Sequence, residues 1–182
     1  MLGIVEDNKH ITTLAFQISG SLIYMLGKSL NDINCSEYLV AYHKINESST
    51  PFFDLDVEFE LQQSVSSLIK EDLIISAHDV SDGGLFITLL ESSMANNLGF
   101  SINSDENIRK DAFLFGESPS RVVLSINNSN KQAFEDLLSK SKTSFHLLGT
   151  VTEGDLLVDG EFFGDVSTYK QKFNSSLKKK MS

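Results

Sequence analysis

The chain has 182 residues, of which 41% are hydrophobic, and a formal net charge of −10 at pH 7. This composition fits one globular domain with its own core and excludes an intrinsically disordered chain. The acidic charge argues against a nucleic-acid partner, because such partners need a basic surface. No apolar run approaches the roughly 20 residues that cross a bilayer, so no membrane partner is expected. A single cysteine, Cys35, excludes an internal disulfide and fits a reducing, cytoplasmic location.

The first half of the sequence mixes strand and helix patterns. In chain order we expect strands over 2–5, 11–16 and 21–26, a loop over 28–34, and the start of a short helix over 36–42 capped by Ser36. The stretch 55–72 then shows apolar residues at i, i+4, i+8, i+11 and i+12, which indicates an amphipathic helix. These residues are Val57, Leu61, Val65, Leu68 and Ile69.

The second half alternates helices and strands. In chain order we expect a strand over 73–77, a helix over 84–97, strands over 100–102 and 121–126, a helix over 130–140, and a hairpin of strands over 145–151 and 156–158. A last helix carries Val166, Tyr169, Phe173 and Leu177, and its basic end, Lys178–Lys180, suits a helix C-terminus. Because helices alternate with strands while several strands adjoin through short turns, we expect an α/β (α+β) fold, a mixed sheet with helices packed on it.

A polar turn interrupts two apolar runs at residues 78–84, with the sequence HDVSDGG. A buried strand that turns into a helix presents this turn at the edge of a sheet, where open α/β folds bind ligands. Free N–H groups at the start of the helix attract anions, and the glycines Gly83 and Gly84 allow close approach. Asp79 would repel a phosphate unless Mg²⁺ lay between them. Asp79 as a Mg²⁺ ligand and Ser81 as a phosphate contact therefore form one hypothesis.

The same turn has a purely structural interpretation, which the residues leave open. Ser81 or Asp82 caps the helix, the two glycines serve close packing, and His78 bonds to the backbone. No Walker or Rossmann spacing is present to decide between the two interpretations.

A second polar loop, residues 116–120, precedes the strand over 121–126. Pro119 holds Ser118 in an extended conformation, which stiffens the loop. Glu117 and Arg121 pair with each other in the simpler interpretation, and they bind the polar groups of a ligand in the alternative one.

Several stretches in order resemble the C-terminal half of the phosphoribosylformylglycinamidine synthase family. The motifs AHDVSDGGL and FGESPSRVV are the most specific of them, although DVSDGG alone also fits thiamine-phosphate kinase and its relatives. The other stretches are GIVEDNKHITTLAFQISGSLIYMLG, INCSEYL, PFFDLDVEFELQQSV and LLGTVTEGDLLVDG. Together they cover nearly the whole chain.

The resemblance implies a piece of a longer ATP-dependent ligase. Residues 1–18 would end the preceding ATP-binding-type subdomain or form linker strands, and residues 19–182 would form the AIR synthase-related C-terminal domain. The implied reaction joins ammonia from glutamine to formylglycinamide ribonucleotide, with ATP/ADP and Mg²⁺ as cofactors. The implied partners are the rest of the synthetase chain and, as in the short bacterial type, a separate glutaminase subunit and a small accessory subunit. The fragment alone is expected to be inactive, and self-association through its uncovered surface is left open.

The resemblance also implies roles for individual residues. Asp79 would bind the metal, and an auxiliary nucleotide would contact Ser81, Asp82, Gly83 and Gly84. The loop with Glu117, Ser118 and Arg121 would correspond only to a substrate-like loop at a pseudo-symmetric site. Asn34 and Cys35 replace a Gly-Gly pair of the family, which would crowd a nucleotide packed against that loop. The alternatives are a scaffold or subunit-docking domain that binds no nucleotide, and another ATP-dependent synthetase or kinase of the AIR synthase superfamily.

Overall fold

The structure is a computed structural model that describes residues 7–181, without the side chains of Lys9 and residues 177–181. The predicted strand over 2–5 and the basic side chains of Lys178–Lys180 lie outside this description. No helix within the described range is long and apolar enough to span a membrane.

Seven strands within the described residues form one mixed sheet in the order β2-β4-β1-β5-β3-β6-β7. They are β1 Leu22–Leu26, β2 Ser76–Asp79, β3 Gly99–Ile102, β4 Val122–Ile126, β5 Phe145–Thr152, β6 Asp155–Val158 and β7 Glu161–Asp165. Neighbouring strands are antiparallel except β3 and β6, which run parallel. The predicted mixed sheet is therefore confirmed.

Five α-helices in the same range cover the two faces of the sheet. They are α1 Leu55–Lys70, α2 Gly84–Met94, α3 Lys110–Phe115, α4 Lys131–Leu138 and α5 Val166–Met181. Apolar residues of α2, α3 and α5 pack in one core cluster, and those of α1 and α4 pack in a second. Successive side chains of strand β1 point alternately into the two clusters. Ile23 and Met25 belong to the first cluster, and Tyr24 and Leu26 belong to the second. The result is a sheet between two helical layers.

A π-helical turn, Tyr38–Tyr42, replaces the predicted start of a helix at this point. The predicted cap is confirmed, because the Oγ atom of buried Ser36 accepts a hydrogen bond from the N–H of Leu39 at 3.1 Å. The turn packs against the end of α3, because the rings of Tyr38 and Phe115 are stacked with their centroids 5.1 Å apart.

The predicted hairpin between residues 145–151 and 156–158 is wrong. Strand β3 lies between β5 and β6, pairing antiparallel with the first and parallel with the second. The turn at Gly154 therefore joins β5 to β6 across the end of β3. The true hairpin joins β6 and β7 through Asp159 and Gly160, whose φ angles of 53° and 76° suit a tight hairpin turn.

Other boundaries also differ from the prediction. The strand expected over 11–16 is wrong, since the structure has only a single parallel bridge between Thr13 and Ser76 at this point. The strand expected over 73–77 begins at Ser76 and continues to Asp79, and the helix expected over 84–97 ends at Met94. Helix α3 was not predicted, since its six residues are too short for a periodic signal.

Candidate functional site

The polar turn at residues 78–84 and the loop at residues 116–121 lie against each other. Strand β2 pairs with β4, so Asp79 stands opposite Val122 and the turn after β2 meets the loop before β4. The N–H of Val80 also donates to the carbonyl of Arg121 at 2.9 Å. The two motifs that sequence analysis singled out are thus parts of one surface region.

His78 anchors the end of β2 to helix α2. Its Nδ1 lies 3.2 Å from both the carbonyl oxygen of Thr88 and the Oγ of Ser92, and its Nε2 lies 3.5 Å from a carboxylate oxygen of Glu91. The imidazole is thereby engaged on both nitrogens by α2, as the structural interpretation expected.

Glu117 occupies the start of helix α2. One oxygen of its carboxylate, Oε1, accepts hydrogen bonds from the N–H of Gly83 at 2.7 Å and from the N–H of Glu37 at 2.8 Å. A negative side chain at this position is stabilised by the unpaired amides and by the helix dipole. The N–H of Gly83, expected to be free for a phosphate, is therefore already bound to a carboxylate of the protein.

The capping role expected for Ser81 and Asp82 is wrong. The residue before the helix is Gly83, with a φ of 84°, and no side chain of the turn itself bonds to the first helical N–H groups. Glu117 takes this role from the neighbouring loop. Ser81 and Asp82 are exposed, and their side chains make no hydrogen bond with any described residue.

Gly84 is required by close packing against the second loop. It is buried with a φ of 70°, and a Cβ at this position would lie 2.7 Å from the carbonyl oxygen of Gly116. Any larger residue would push the two loops apart. This contact alone explains the glycine.

Asp79 faces a different opening from Gly83. Its side chain is exposed and lines a cleft of about 830 Å³ between β2, α1 and the 3₁₀ turn Asn8–His10. His10 and Glu58 line the same cleft, whereas Gly83 does not. The structure therefore does not bring the predicted metal ligand and the predicted phosphate-binding amide into one pocket.

Arg121 is a buried structural cation and does not pair with Glu117. Its side chain is 2% exposed and donates to the carbonyl oxygens of Gly116 at 2.6 Å and Ser118 at 2.9 Å. Burial lowers the pKa of Arg121 to about 10, and the charge of Glu117 only partly opposes this shift. No ion pair joins the two residues. The guanidinium thus holds the shape of the loop from inside.

No local sequence pattern indicates that Glu117 binds the loop at Glu37. The same loop contains Cys35, whose φ of 56° is a left-handed conformation that favours glycine. A cysteine in a conformation that favours glycine marks a backbone of unusual shape, but it does not indicate which residue binds there.

The residues of this region do not by themselves form a metal site. Among the described residues, no group of three or more histidine, cysteine, aspartate or glutamate side chains could hold an ion. Asp79 alone would fit Mg²⁺ only if nucleotide phosphates supplied most of the other ligands, as Mg²⁺ sites commonly do.

Comparison with known proteins gives a consistent result. A family model described as AIR synthase related protein, C-terminal domain, matches residues 19–159. The phosphoribosylformylglycinamidine synthase subunit PurL of Alkaliphilus metalliredigens (strain QYMF) is 35% identical over 156 residues, which cover 86% of this chain and 21% of that protein. This chain therefore spans about a fifth of the length of that relative.

Solved structures share the fold at low sequence identity. PurL from Thermotoga maritima, complexed with FGAR, matches with a TM-score of 0.75 and 15% identity over 90% of this chain and 30% of that chain. Thiamine-monophosphate kinase from Stenotrophomonas maltophilia K279a matches with a TM-score of 0.53 and 16% identity over 82% of this chain and 53% of that chain. The predicted resemblance and fold are confirmed. Because the family model matches well over half of the residues, the chain belongs to the family of AIR synthase related proteins, as their C-terminal domain.

Proposed function

We propose that this chain is the C-terminal domain of a phosphoribosylformylglycinamidine synthase. The observation that carries this proposal is the 35% identity to a PurL subunit over 156 residues. The reaction of the whole enzyme would transfer the terminal phosphoryl group of ATP to the amide oxygen of formylglycinamide ribonucleotide. Ammonia derived from glutamine would then attack the amide carbon and displace the phosphorylated oxygen as phosphate. The products would be formylglycinamidine ribonucleotide, ADP and phosphate.

Within that enzyme we assign this domain a supporting role. The two loops at residues 78–84 and 116–121 are held together by protein groups: Glu117 bonds to Gly83, Gly84 packs on Gly116, and Arg121 binds two carbonyls of its own loop. These internal contacts support a scaffold that positions the catalytic part. The glutaminase subunit and the small accessory subunit are proposed partners of the same assembly, which we expect in the cytoplasm.

The test is an assay of ammonia-dependent ADP formation with formylglycinamide ribonucleotide. The full-length protein that contains these residues should turn over, and the purified 182-residue chain should not. Turnover by the isolated chain, or none by the full-length protein, would refute the proposal.

Auxiliary binding of a Mg²⁺–nucleotide complex is a second candidate role for the same domain. It is favoured by one observation: the exposed side chain of Asp79 lines a cleft of about 830 Å³ and makes no hydrogen bond with any described residue. Structures of Thermotoga maritima PurL with ATP and with ADP support nucleotide binding within the family. Mg²⁺ would balance the charges of Asp79 and the phosphates.

Titration calorimetry with ADP tests this second role in the full-length protein, with and without Mg²⁺. Asp79→Asn should weaken the Mg²⁺-dependent binding at this site by at least about ten-fold, because loss of even a residue that only supports a metal ligand weakens metal binding about ten- to 100-fold. Asp155→Asn, an exposed aspartate on β6, serves as the control. If Asp79→Asn and the unchanged protein bind ADP with equal affinity, the nucleotide-binding role is refuted and only the scaffold role remains.

A further inference from the structure

The start of helix α1 and the segment before it expose an unusual amount of apolar surface. Between residues 52 and 59, large hydrophobic side chains are more than half exposed: Phe52 at 72%, Phe53 at 53%, Leu55 at 71%, Val57 at 52% and Phe59 at 59%. Single exposed hydrophobic residues are ordinary, but a contiguous set of this size marks an interaction surface. Residues 52–60 are named the docking segment below.

Acidic residues alternate with the apolar ones along the docking segment. Its sequence is FFDLDVEFE, so Asp54, Asp56, Glu58 and Glu60 separate the hydrophobic side chains. Alternation suits a strand, yet the structure has a helix from Leu55 onward. At about 100° per residue, alternate positions of a helix fall on opposite sides, so this chain's own core cannot cover them all. Burial on α1 begins only at Leu61.

Part of the docking segment also forms one wall of a cleft. Phe52, Val57 and Phe59 line a cleft of about 560 Å³, which Pro119 and Ser120 also line. The hydroxyl of Ser120 is buried without a hydrogen-bond partner in the described part of the chain. The cleft thus combines apolar side chains with charged ones, since Lys28 and Lys142 line it together with Asp56 and Glu60. It also holds a polar group whose bonding is incomplete.

We propose that the docking segment binds an apolar surface rimmed by lysine and arginine side chains, on the part of the synthetase that lies outside this chain. The inference rests on the proposed function. The related PurL subunit is far longer than this chain, which covers 21% of it, so most of such an enzyme remains to pack against this domain. The alternating carboxylates favour cationic groups on the partner surface around its apolar contacts.

Charge argues against a second copy of this chain as the occupant. A two-fold axis through the docking segment would set its four carboxylates against the same four carboxylates of the second copy. Carboxylates would then face carboxylates in an interface that excludes water, which is unfavourable because like charges repel and both lose their hydration. A basic-rimmed partner removes this repulsion.

Hydroxyl-radical labelling of the full-length synthetase tests the inference, with the urea-unfolded protein as the reference for full exposure. Phe52 is 72% exposed and Phe59 is 59% exposed in the isolated domain. In the full-length protein, the labelling of each should be about five-fold lower than these fractions predict, because the partner surface covers both rings. Labelling in proportion to those exposed fractions would overturn the inference. Protection that disappears on dilution, together with a halved mass in sedimentation, would also overturn it, because the occupant would then be a second copy.

A charge-reversal variant tests the basic rim. Asp56→Lys combined with Glu60→Lys should raise the labelling of Phe52 and Phe59 towards the isolated-domain level, whereas Glu153→Lys, an exposed change on the β5–β6 turn, should not. No change in the double variant would refute the charged rim. A full-length protein without synthetase activity would refute the proposed function, whereas exposed Phe52 and Phe59 in an active synthetase would refute this inference alone.

Discussion

The carboxylate of Glu117 accepts a hydrogen bond from the N–H of Gly83 at 2.7 Å, although the two residues lie 34 positions apart in the sequence. The same oxygen accepts from the N–H of Glu37, so one side chain joins three segments: the loop before the π-helical turn, the start of α2, and its own loop before β4. This arrangement makes Glu117 the central residue of the candidate site.

Replacing Glu117 should destabilise the domain. Glu117→Ala leaves two backbone N–H groups without an acceptor and should lower the free energy of unfolding by about 2 kcal/mol. Glu117→Gln keeps a neutral acceptor oxygen and should cost about half as much. Urea unfolding followed by circular dichroism measures both values. Equal stability of Glu117→Ala and a surface control, Glu153→Ala, would contradict the role.

Two glycines with similar backbone angles should respond differently to alanine. Gly27 has a φ of 89°, and an added Cβ would lie 2.0 Å from the carbonyl oxygen of Ser120. Gly20 has a φ of 84° with nothing within 4 Å. Gly27→Ala should therefore cost about 3 kcal/mol from strain and overlap, and Gly20→Ala about 1 kcal/mol from backbone strain alone. Thermal and urea unfolding of the two variants should show this difference, and equal losses would disprove the close contact.

Arg121 should not tolerate lysine. Lysine retains the charge but cannot reach the carbonyls of Gly116 and Ser118 with a planar fork, so Arg121→Lys should lower the free energy of unfolding by about 2 kcal/mol. Arg109 pairs with Asp111 at the surface, where exposed ion pairs contribute little, and Arg109→Lys should change stability by about 0.5 kcal/mol or less. A loss at Arg109 as large as that at Arg121 would contradict the buried role.

Acid stability should depend on Asp165, which precedes helix α5. Hydrogen bonds from the hydroxyl of Ser167 and from the N–H and hydroxyl of Thr168 lower the pKa of Asp165 from 3.8 to about 2. A carboxylate with a lowered pKa in the folded state stabilises the protein above its unfolded pKa. That stabilisation is lost as the pH falls from 3.8 through about 2.

Asp165→Asn should therefore flatten the dependence of unfolding free energy on pH in that interval. The double variant Ser167→Ala Thr168→Ala removes the side-chain donors, keeps the carboxylate, and should flatten the same interval in part. Urea unfolding at several pH values between about 5 and 2 measures both slopes. An unchanged slope in Asp165→Asn would refute the assignment.

The sequence alone determined the local elements and the family. Helix α1 follows from apolar spacing, strands β1 and β4 follow from continuous apolar runs, and Ser36 was identified as a cap from its residue type and position. The motifs at residues 77–85 and 115–123 indicated the AIR synthase-related family, which the family model confirms. These features are encoded within a few residues of one another, so neighbouring side chains are enough to predict them.

Tertiary structure decided the features that join distant residues. The order of the strands places β3 between β5 and β6, and no local pattern records which strands become neighbours. Glu117 binds the N–H that the sequence left free for a phosphate, and Asp79 faces a separate cleft, because both outcomes depend on how two loops pack. Sheet pairing and side-chain packing between remote segments set these contacts, and they are determined only when the whole chain has folded.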